Sequence, residues 1–461
     1  MKNILKYTCI IATIVVSSCA KQLEYDLPPN QIEYIDYLKD ETSLRQLLVG
    51  AYEVLGSAMN GKTQGFNELL SDNLNEPLNN NDLKEIYIRN TLIFNRTIRD
   101  NYTDLYRAIF RANYIIDNAD LVPDITDASK AEIIAECKFI RAFAHFEVAK
   151  MYAQPYGYTA DNSHLGIILR KSALLSTDPR STVAETYSFI EADLQDAISD
   201  LDEVALTFHA GVYSAHALLS QVYFLKNEYQ NAVNEINIVV NSGAYQLSNS
   251  NNRFKTLGVS DLPSESIFTV ISESPAVTKS AGFSDNFRTT NASLPQFTLA
   301  NEARLLFSQK AGPLRDSLIV NLGSEVDPIW GLAKFDQQGF NVPVLHLTQL
   351  LLTRAECLAR LNIDLATAVS DINQIRSRAF GIGQNQISVS DGVGVILQAA
   401  KDERRIEMVG EGDWITQLKR YGVLGEIQNI RGVSWSCFGQ VLQFHSTESS
   451  DVFEFNPQGG C

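Results

Sequence analysis

Three glutamates, Glu403, Glu407 and Glu411, follow one another at intervals of four residues. That spacing places their carboxyl groups on one face of a helix, and paired carboxylates are the groups that hydrolyse glycosidic bonds by acid and base catalysis. Arg404 and Arg405, however, lie directly beside the first of them. We therefore interpret these carboxylates as members of ion pairs that tie a charged helix to its neighbours, rather than as catalytic groups.

No other pattern in the sequence indicates an enzyme or a metal site. The chain contains no His-Glu-x-x-His, P-loop, Gly-x-Ser-x-Gly or calcium-loop motif. The six histidines are dispersed, and a lone histidine such as His145 in an apolar helix is more often a satisfied core residue than a ligand. We therefore expect no catalytic residues, no metal and no cofactor.

The charged glutamates belong to a helical stretch that runs from His346 to Gly422. Apolar residues recur at helical spacing in its first two segments, which only Asn362, Ile363 and Asp364 separate. A connection that short folds the two helices back as an antiparallel pair. Because one pair cannot bury its outer face alone, other pairs should stack on it, as in tetratricopeptide-like proteins.

The rest of the chain alternates between further helices and two irregular stretches. Amphipathic segments are predicted at Thr42–Leu55, Asn101–Leu121, Ala128–Tyr152, Thr182–Leu201 and Gly211–Asn241. The predicted fold is mainly all-α, with tetratricopeptide-like stacked helical hairpins and a few short strands, one of them at Ile267–Ile271. Two stretches rich in polar residues and glycine, about 57–99 and 242–344, are predicted as long irregular loop insertions. Because binding surfaces usually lie on loops held by a rigid scaffold, we expect a ligand there.

Composition and charge exclude several classes of protein. With 461 residues, 45% hydrophobic and 20% charged, the chain can bury a large core. Its net charge of -16 disfavours nucleic acid and polyanionic ligands. No run of 18 or more apolar residues occurs, so no transmembrane helix is predicted.

The N-terminus has the pattern of a bacterial secretion signal. Lys2 and Lys6 precede an apolar run, which ends in small residues before Cys19. We interpret residues 1–18 as a lipoprotein signal peptide, Cys19 as the acylated mature N-terminus and residues 19–30 as a lipidated tether. The alternative is ordinary signal cleavage near Ser18. Residues 31–461 are predicted to form one domain.

Four further cysteines remain in the mature chain, and their spacing fits no zinc pattern. Cys137 and Cys357 lie in apolar-periodic helices, so we predict that both are small core residues. Cys437 and Cys461 could pair in an oxidising exterior, although we favour two free thiols there.

Several separated motifs together resemble the SusD/RagB family of outer-membrane nutrient-binding lipoproteins. Each motif is weak alone, but their order and spacing cover nearly the whole chain. The motifs are the lipobox at Cys19, Leu105-Tyr106-Arg107-Ala108-Ile109, Arg141-Ala142-Phe143, Arg354-Ala355-Glu356-Cys357-Leu358, Ile372-Asn373-Gln374-Ile375-Arg376 and Glu403-Arg404-Arg405-Ile406-Glu407. Trp414 and Gln417 depart from the usual Arg and Asp, which questions the local packing near the C-terminus.

The resemblance implies a function as well as a fold. A SusD/RagB protein would be lipid-anchored in the outer membrane, facing the exterior, and would capture oligosaccharides without catalysis. Its partner would be a TonB-dependent, SusC-like transporter, and nucleic acid would not be a ligand. Capture of a peptide or glycopeptide is one alternative, and an all-helical glycoside hydrolase is another of a different class.

Capture of a neutral sugar needs aromatic faces for its C–H surfaces and planar polar groups for its hydroxyls. We expect both in the two insertions, and Trp330 is the strongest candidate because it lies away from any helical stripe, near Pro328 and Gly331. The candidate ligand-binding residues are Phe66, Asp72, Asn73, Tyr87, Arg89, Phe94, Trp330 and Phe335.

Overall fold

A computed structural model describes residues 38–174, 176–203, 206–248 and 253–461 of the chain. The signal peptide predicted at 1–18, the lipidation site at Cys19 and the tether at 19–30 lie outside these residues. Among the described helices, none combines the length and apolarity that a bilayer span requires.

Fourteen α-helices within the described residues carry the fold. The first eight are α1 (Glu41–Ala58), α2 (Lys62–Leu70), α3 (Asn81–Tyr87), α4 (Arg96–Asn118), α5 (Asp127–Tyr152), α6 (Val183–Ile198), α7 (Val212–Leu225) and α8 (Tyr229–Asn241). The other six are α9 (Ala281–Phe287), α10 (Asn301–Lys310), α11 (Leu347–Leu361), α12 (Leu365–Phe380), α13 (Val393–Met408) and α14 (Trp414–Val423).

The long helices stack as antiparallel neighbours. Helix α1 packs on α4 and α5, and the stack continues through α6, α7, α8 and α11 to α12 and α13. One main cluster of buried apolar side chains runs through these layers. The predicted mainly helical fold of stacked hairpins is therefore confirmed.

Local sequence signals set the helix boundaries. The Asp40 side chain accepts a hydrogen bond from the Ser43 backbone N–H at 2.8 Å and so caps α1. Between α11 and α12, Asn362 and Asp364 adopt the left-handed conformation with φ of 54° and 39°. Asn and Asp tolerate that conformation better than most residues, which explains the tight corner predicted at 362–364.

Six short strands form three two-stranded antiparallel sheets in the described part of the chain. The strands are β1 (Ser266–Val270), β2 (Ile319–Asn321), β3 (Trp330–Leu332), β4 (Val342–His346), β5 (Asn429–Ile430) and β6 (Val433–Ser434). Strand β1 pairs with β4, β2 with β3, and β5 with β6. Strand β1 coincides with the strand predicted at Ile267–Ile271.

The two predicted insertions are more ordered than loops. The first, 57–99, contains α2 and α3, and the second, 242–344, contains α9, α10 and strands β1, β2 and β3 as well as the start of β4. Helix α2 buries polar as well as apolar side chains, including Gln64, Asn67 and Glu68. Because polar residues occupy its buried face, no apolar periodicity marks this helix in the sequence.

The three glutamates at fourfold spacing are buried in a network of ion pairs, as predicted. Each carboxylate contacts at least two cationic side chains. The contacts are Glu403 with Arg315 and Arg376, Glu407 with Arg253, Arg315 and Arg378, and Glu411 with Arg253, Lys334 and His346. Arg253, Arg315 and Lys334 come from the second insertion, so the network fastens that insertion to α12 and α13.

The charge state of this network follows from its contacts. Burial alone would raise the pKa of Glu407, but the guanidinium groups of Arg378, Arg315 and Arg253 outweigh burial and lower the pKa far below its ordinary value. The pKa of Glu411 is likewise well below its ordinary value, because Lys334 and Arg253 outweigh the effect of burial. Both carboxylates are therefore charged and already engaged, which suits a structural role.

The cysteines differ in part from expectation. Cys137 and Cys357 are buried free thiols, as predicted. Cys437 and Cys461 form a disulfide, whereas we favoured two free thiols. The pairing could not be read from the sequence, because only the folded path of residues 437–461, here called the C-terminal strap, brings the two Cα atoms to 5.8 Å.

Candidate functional site

The two insertions meet on one surface. The backbone N–H of Asn75 donates to the Thr298 carbonyl at 2.9 Å, and the Leu299 N–H donates to the Trp330 carbonyl at 2.7 Å. Leu74 and Leu299 form an isolated antiparallel bridge. Segments that are far apart in sequence are thereby joined into one surface. We call this surface the shelf and define it by the side chains of Asp72, Asn75, Gln296, Arg304 and Trp330.

Trp330 supplies the aromatic part of the shelf. It begins β3, and its indole is partly exposed. The guanidinium carbon of Arg304, on α10, lies 5.2 Å from the centre of the indole ring. Arg304 forms no ion pair within the described residues, so its planar fork of N–H donors stays available beside the ring.

Asp72 supplies the acceptor of the shelf. Its Oδ1 accepts hydrogen bonds from Arg405 Nη2 at 2.9 Å and from Trp414 Nε1 at 2.7 Å. Oδ2 has no hydrogen-bond partner in the described part of the chain, and the side chain is 25% exposed. A carboxylate held in this way can accept a further hydrogen bond from a ligand hydroxyl.

Glu68, which the sequence analysis did not single out, supports the shelf from below. This fully buried carboxylate accepts hydrogen bonds from the Gly410 and Gly412 backbone N–H groups, at 3.1 and 2.9 Å, and from Asn73 Nδ2 at 2.9 Å. Burial raises the pKa of Glu68 to about 7, although the donors from Asn73 and Gly412 favour its charged form. Glu68 thus fixes the turn between α13 and α14, which carries Trp414, against α2.

Three predicted ligand residues are buried side chains, and the prediction is corrected for them. Phe66 is 2% exposed within α2. Phe335 is fully buried, and its ring centre lies 4.5 Å from that of Phe283 and 4.8 Å from that of Phe254. Asn73 is also fully buried and bridges Glu68 and Arg405. Neither ring has a free face, because both belong to the core.

Three other predicted residues are not among those that define the shelf. Arg89 is 4% exposed. Its backbone packs directly against Gly439 of the C-terminal strap, because a Cβ added to Gly439 would lie only 1.9 Å from the Arg89 carbonyl oxygen. Tyr87 packs beneath the Arg431 guanidinium at 4.0 Å. Phe94 is 70% exposed on the turn before α4. Of the predicted residues, the shelf itself combines Asp72 and Trp330.

The described residues include no group of three or more histidine, cysteine or acidic side chains arranged to hold a metal ion. The shelf itself contains one carboxylate, that of Asp72. Glycoside hydrolysis ordinarily uses two carboxyl groups about 5 to 10 Å apart across the scissile bond. The arrangement of the shelf suits binding through one acceptor, one guanidinium and one indole.

Comparisons with known proteins agree with this fold. Residues 25–224 match a family model described as "Starch-binding associating with outer membrane", and residues 330–451 match the model of the SusD family. A curated relative, SusD-like protein P25 of Formosa agariphila, is 23% identical over 96% of this chain and 94% of its own length.

Solved structures share the stacked helical hairpins. A SusD superfamily protein from Bacteroides thetaiotaomicron superposes with a TM-score of 0.78 at 20% identity, covering 91% of this chain and 100% of that one. A laminarin-binding SusD-like protein superposes with a TM-score of 0.71 at 21% identity, covering 91% and 99% of the two chains. The sequence matches and the shared fold together show that the chain belongs to the SusD/RagB family.

Proposed function

We propose that this chain is a cell-surface lipoprotein that binds an oligosaccharide on the shelf without transforming it. In this proposal, Cys19 anchors the protein to the outer membrane, and a TonB-dependent, SusC-like transporter receives the ligand. The observation that carries the proposal is the meeting of the two insertions, which joins the segments that carry Asp72, Arg304 and Trp330.

The chemistry of the shelf suits a saccharide. The indole of Trp330 offers a flat apolar face to the C–H surface of a sugar ring. Arg304 can donate to hydroxyl oxygens, and Oδ2 of Asp72 can accept from hydroxyl groups. Support also comes from the matching family description, which names starch, and from the solved relative whose name gives laminarin as its ligand.

A peptide is the second candidate ligand. Arg304 has no carboxylate partner within the described residues, and a guanidinium fork pairs well with a peptide carboxylate. Glycan hydrolysis is less well supported, because the shelf offers only one carboxylate.

The proposal is tested with purified mature protein and two panels, one of oligosaccharides that includes laminarin fragments and one of short peptides. We expect a ligand-dependent rise in melting temperature with at least one oligosaccharide, and no product by chromatography. Trp330→Ala should weaken that binding by roughly 2 kcal/mol, or about thirtyfold, through lost aromatic contact. Phe438→Ala, which removes another exposed ring outside the shelf, should leave binding unchanged.

The outcomes separate the candidates. Shifts with peptides alone would replace the saccharide by a peptide ligand, and release of shorter sugars would identify an enzyme. Binding that survives Trp330→Ala unchanged would remove the shelf as the site.

Localisation is tested separately by Cys19→Ala. We expect the variant to be lost from the membrane fraction, because acylation of Cys19 would supply the anchor. Sedimentation of the variant with membranes as efficiently as wild type would contradict the lipid anchor.

A further inference from the structure

A concave surface lies along α4, and it shares no residue with the shelf. A groove of about 350 Å³ lies between the exposed side of α4 and a neighbouring stretch of chain that includes Ile168, Arg170 and Ser172. We call it the α4 groove and define it by six lining residues. These are Tyr106, Arg107, Phe110, Ile168, Arg170 and Glu448.

The walls of the α4 groove are held in place by side chains of α4. The Tyr106 hydroxyl donates to the Ile168 carbonyl at 2.8 Å. The Asn113 amide donates to the Arg170 and Ser172 carbonyls at 2.9 and 3.2 Å. Because these bonds fix the segment against the helix, the groove is formed before any ligand arrives, which lowers the entropic cost of binding.

The floor of the groove is aromatic. Tyr106 and Phe110 follow one another at a spacing of four residues, so their rings share one face of α4. The Phe110 side chain is 41% exposed within the described part of the chain. A large ring left open on a concave surface indicates a binding site more strongly than a ring on a convex one.

The rim of the groove is polar and has both signs of charge. Within the described residues, the Glu448 carboxylate forms no ion pair and accepts no hydrogen bond. Its burial raises the pKa of Glu448, and the nearby Arg170 partly offsets that rise. The Arg107 side chain is 53% exposed, and the one ion pair that it forms with a described residue, Asp104, has an N–O distance of 3.3 Å. The rim therefore offers both an acceptor and donors to a ligand.

We infer that the α4 groove is a second saccharide-binding site, which takes a short neutral oligosaccharide over Phe110 with hydroxyls bonded to Glu448 and Arg107. Its volume is at the lower end of the range for small-ligand sites, about 300 to 1,000 Å³. The mixed charge of the rim suits hydroxyl groups better than an ion of either sign. The choice of a saccharide rests on the proposed function, whereas the groove itself does not.

The test uses ligand-detected saturation-transfer NMR on the mature protein, with laminaritriose, maltotriose, cellotriose and xylotriose as probes. Four proteins are compared, namely wild type, Trp330→Ala, Phe110→Ala and the double variant. We expect at least one trisaccharide to receive saturation from Trp330→Ala, and that signal to be lost in the double variant. Phe110→Ala alone should weaken the binding of that trisaccharide in the α4 groove about tenfold.

Two further variants guard against loss of structure. Glu448→Gln keeps the shape of the side chain. It should weaken trisaccharide binding in the α4 groove about fivefold, because a charged acceptor is replaced by a neutral one. Phe438→Ala removes a ring of similar exposure, 47% against 41%, and should change nothing. Melting curves for all variants should match that of wild type within a few degrees.

The possible failures are distinguishable. If Trp330→Ala alone abolishes every signal, the α4 groove is not a saccharide site while the shelf proposal stands. If wild type gives no signal with any trisaccharide, the groove proposal is overturned, and the shelf is still tested by the longer oligosaccharides of the first panel.

Discussion

The Glu68 carboxylate is fully buried beneath the shelf, and two backbone N–H groups and the Asn73 amide all donate to it. A glutamine at this position would place its NH₂ group against one of these donors and leave it unsatisfied. We predict that Glu68→Gln lowers the free energy of unfolding by about 2 to 3 kcal/mol, measured by urea denaturation.

Glu76→Gln is the matched control, because Glu76 pairs with Lys84 at the surface with 44% of its side chain exposed. That change should cost less than about 1 kcal/mol. Equal losses of unfolding free energy in the two variants would show that the buried Glu68 carboxylate stabilises the fold no more than the exposed Glu76 carboxylate does.

At the scale of single residues, two members of the proposed shelf were predicted from the sequence, and their role in binding stays a prediction. Trp330 and Asp72 were predicted because an aromatic and an acid in polar, irregular stretches have no packing role that the pattern reveals. Arg304 was missed because it lies in a stretch that was predicted as an irregular insertion, where an arginine carries no signal of what it faces. The prediction that Phe66 and Phe335 contact a ligand was wrong, because the short elements around them bury both rings. Those elements show no apolar periodicity in the sequence that would have revealed the burial.

Helix α13 acts as an element that fastens the second insertion to the helical body. Arg315 from that insertion is fully buried and lies 2.9 Å from Glu403 and 2.7 Å from Glu407. We predict that Arg315→Met costs about 3 to 5 kcal/mol of unfolding free energy at neutral pH, because it leaves buried carboxylates with fewer cations. The deficit should shrink as pH falls, since the carboxylates can then be protonated.

Arg45→Met provides the comparison for the buried arginine. Arg45 pairs with Glu41 and Glu132, but 38% of its side chain is exposed. Its loss should cost less than about 1 kcal/mol. A deficit in Arg315→Met that does not depend on pH would contradict the assignment of that deficit to uncompensated charge.

The C-terminal strap is a second element with a defined fastening. The Cys437–Cys461 disulfide closes a loop with a sequence separation of 24. We predict that Cys461→Ser lowers stability by about 3 kcal/mol, the amount expected for closing a loop of that length. A reducing agent should destabilise wild type by a similar amount and leave Cys461→Ser unaffected. Identical peptide maps of the mature protein with and without reduction would show that the disulfide does not form.

Whole elements were easier to predict than their contacts. Apolar residues at helical spacing predicted the long hairpins, and the short connection at 362–364 predicted the corner between two of the helices. Helix α3 has only seven residues, and its two buried apolar residues are too few to show a helical period. Helix α2 could not be recognised, since its buried face includes polar residues that only tertiary partners satisfy. Glu68 is an example, because its donors at Gly410 and Gly412 are more than 300 positions away along the chain.

At the scale of the whole molecule, the buried carboxylates contribute to the loss of stability in acid. Arg420 and Arg360 outweigh burial and lower the pKa of Glu356 to about 2, and the pKa values of Glu407 and Glu411 are also far below normal. Their folded values lie below the unfolded value of about 4.5, so their stabilisation is complete above that pH and is lost as pH falls. The contribution of Glu68 to stability changes with pH in the opposite direction. Because its pKa is raised to about 7, the folded state binds the proton first, and this contribution grows as pH falls from about 7 to about 4.5.

We therefore predict a steep fall in melting temperature as pH drops from about 4.5 to about 3. Calorimetry in a series of buffers across this range would measure it. A melting temperature that stays constant down to about pH 3 would show that the ion-pair network does not govern acid stability.

The most direct test of the central claim is a crystal structure of the mature protein with the oligosaccharide that gives the largest melting shift. We predict an intact sugar chain lying over the indole of Trp330, with a hydroxyl about 3 Å from Oδ2 of Asp72. A ligand that makes no contact with the shelf, or one found cleaved, would contradict the account.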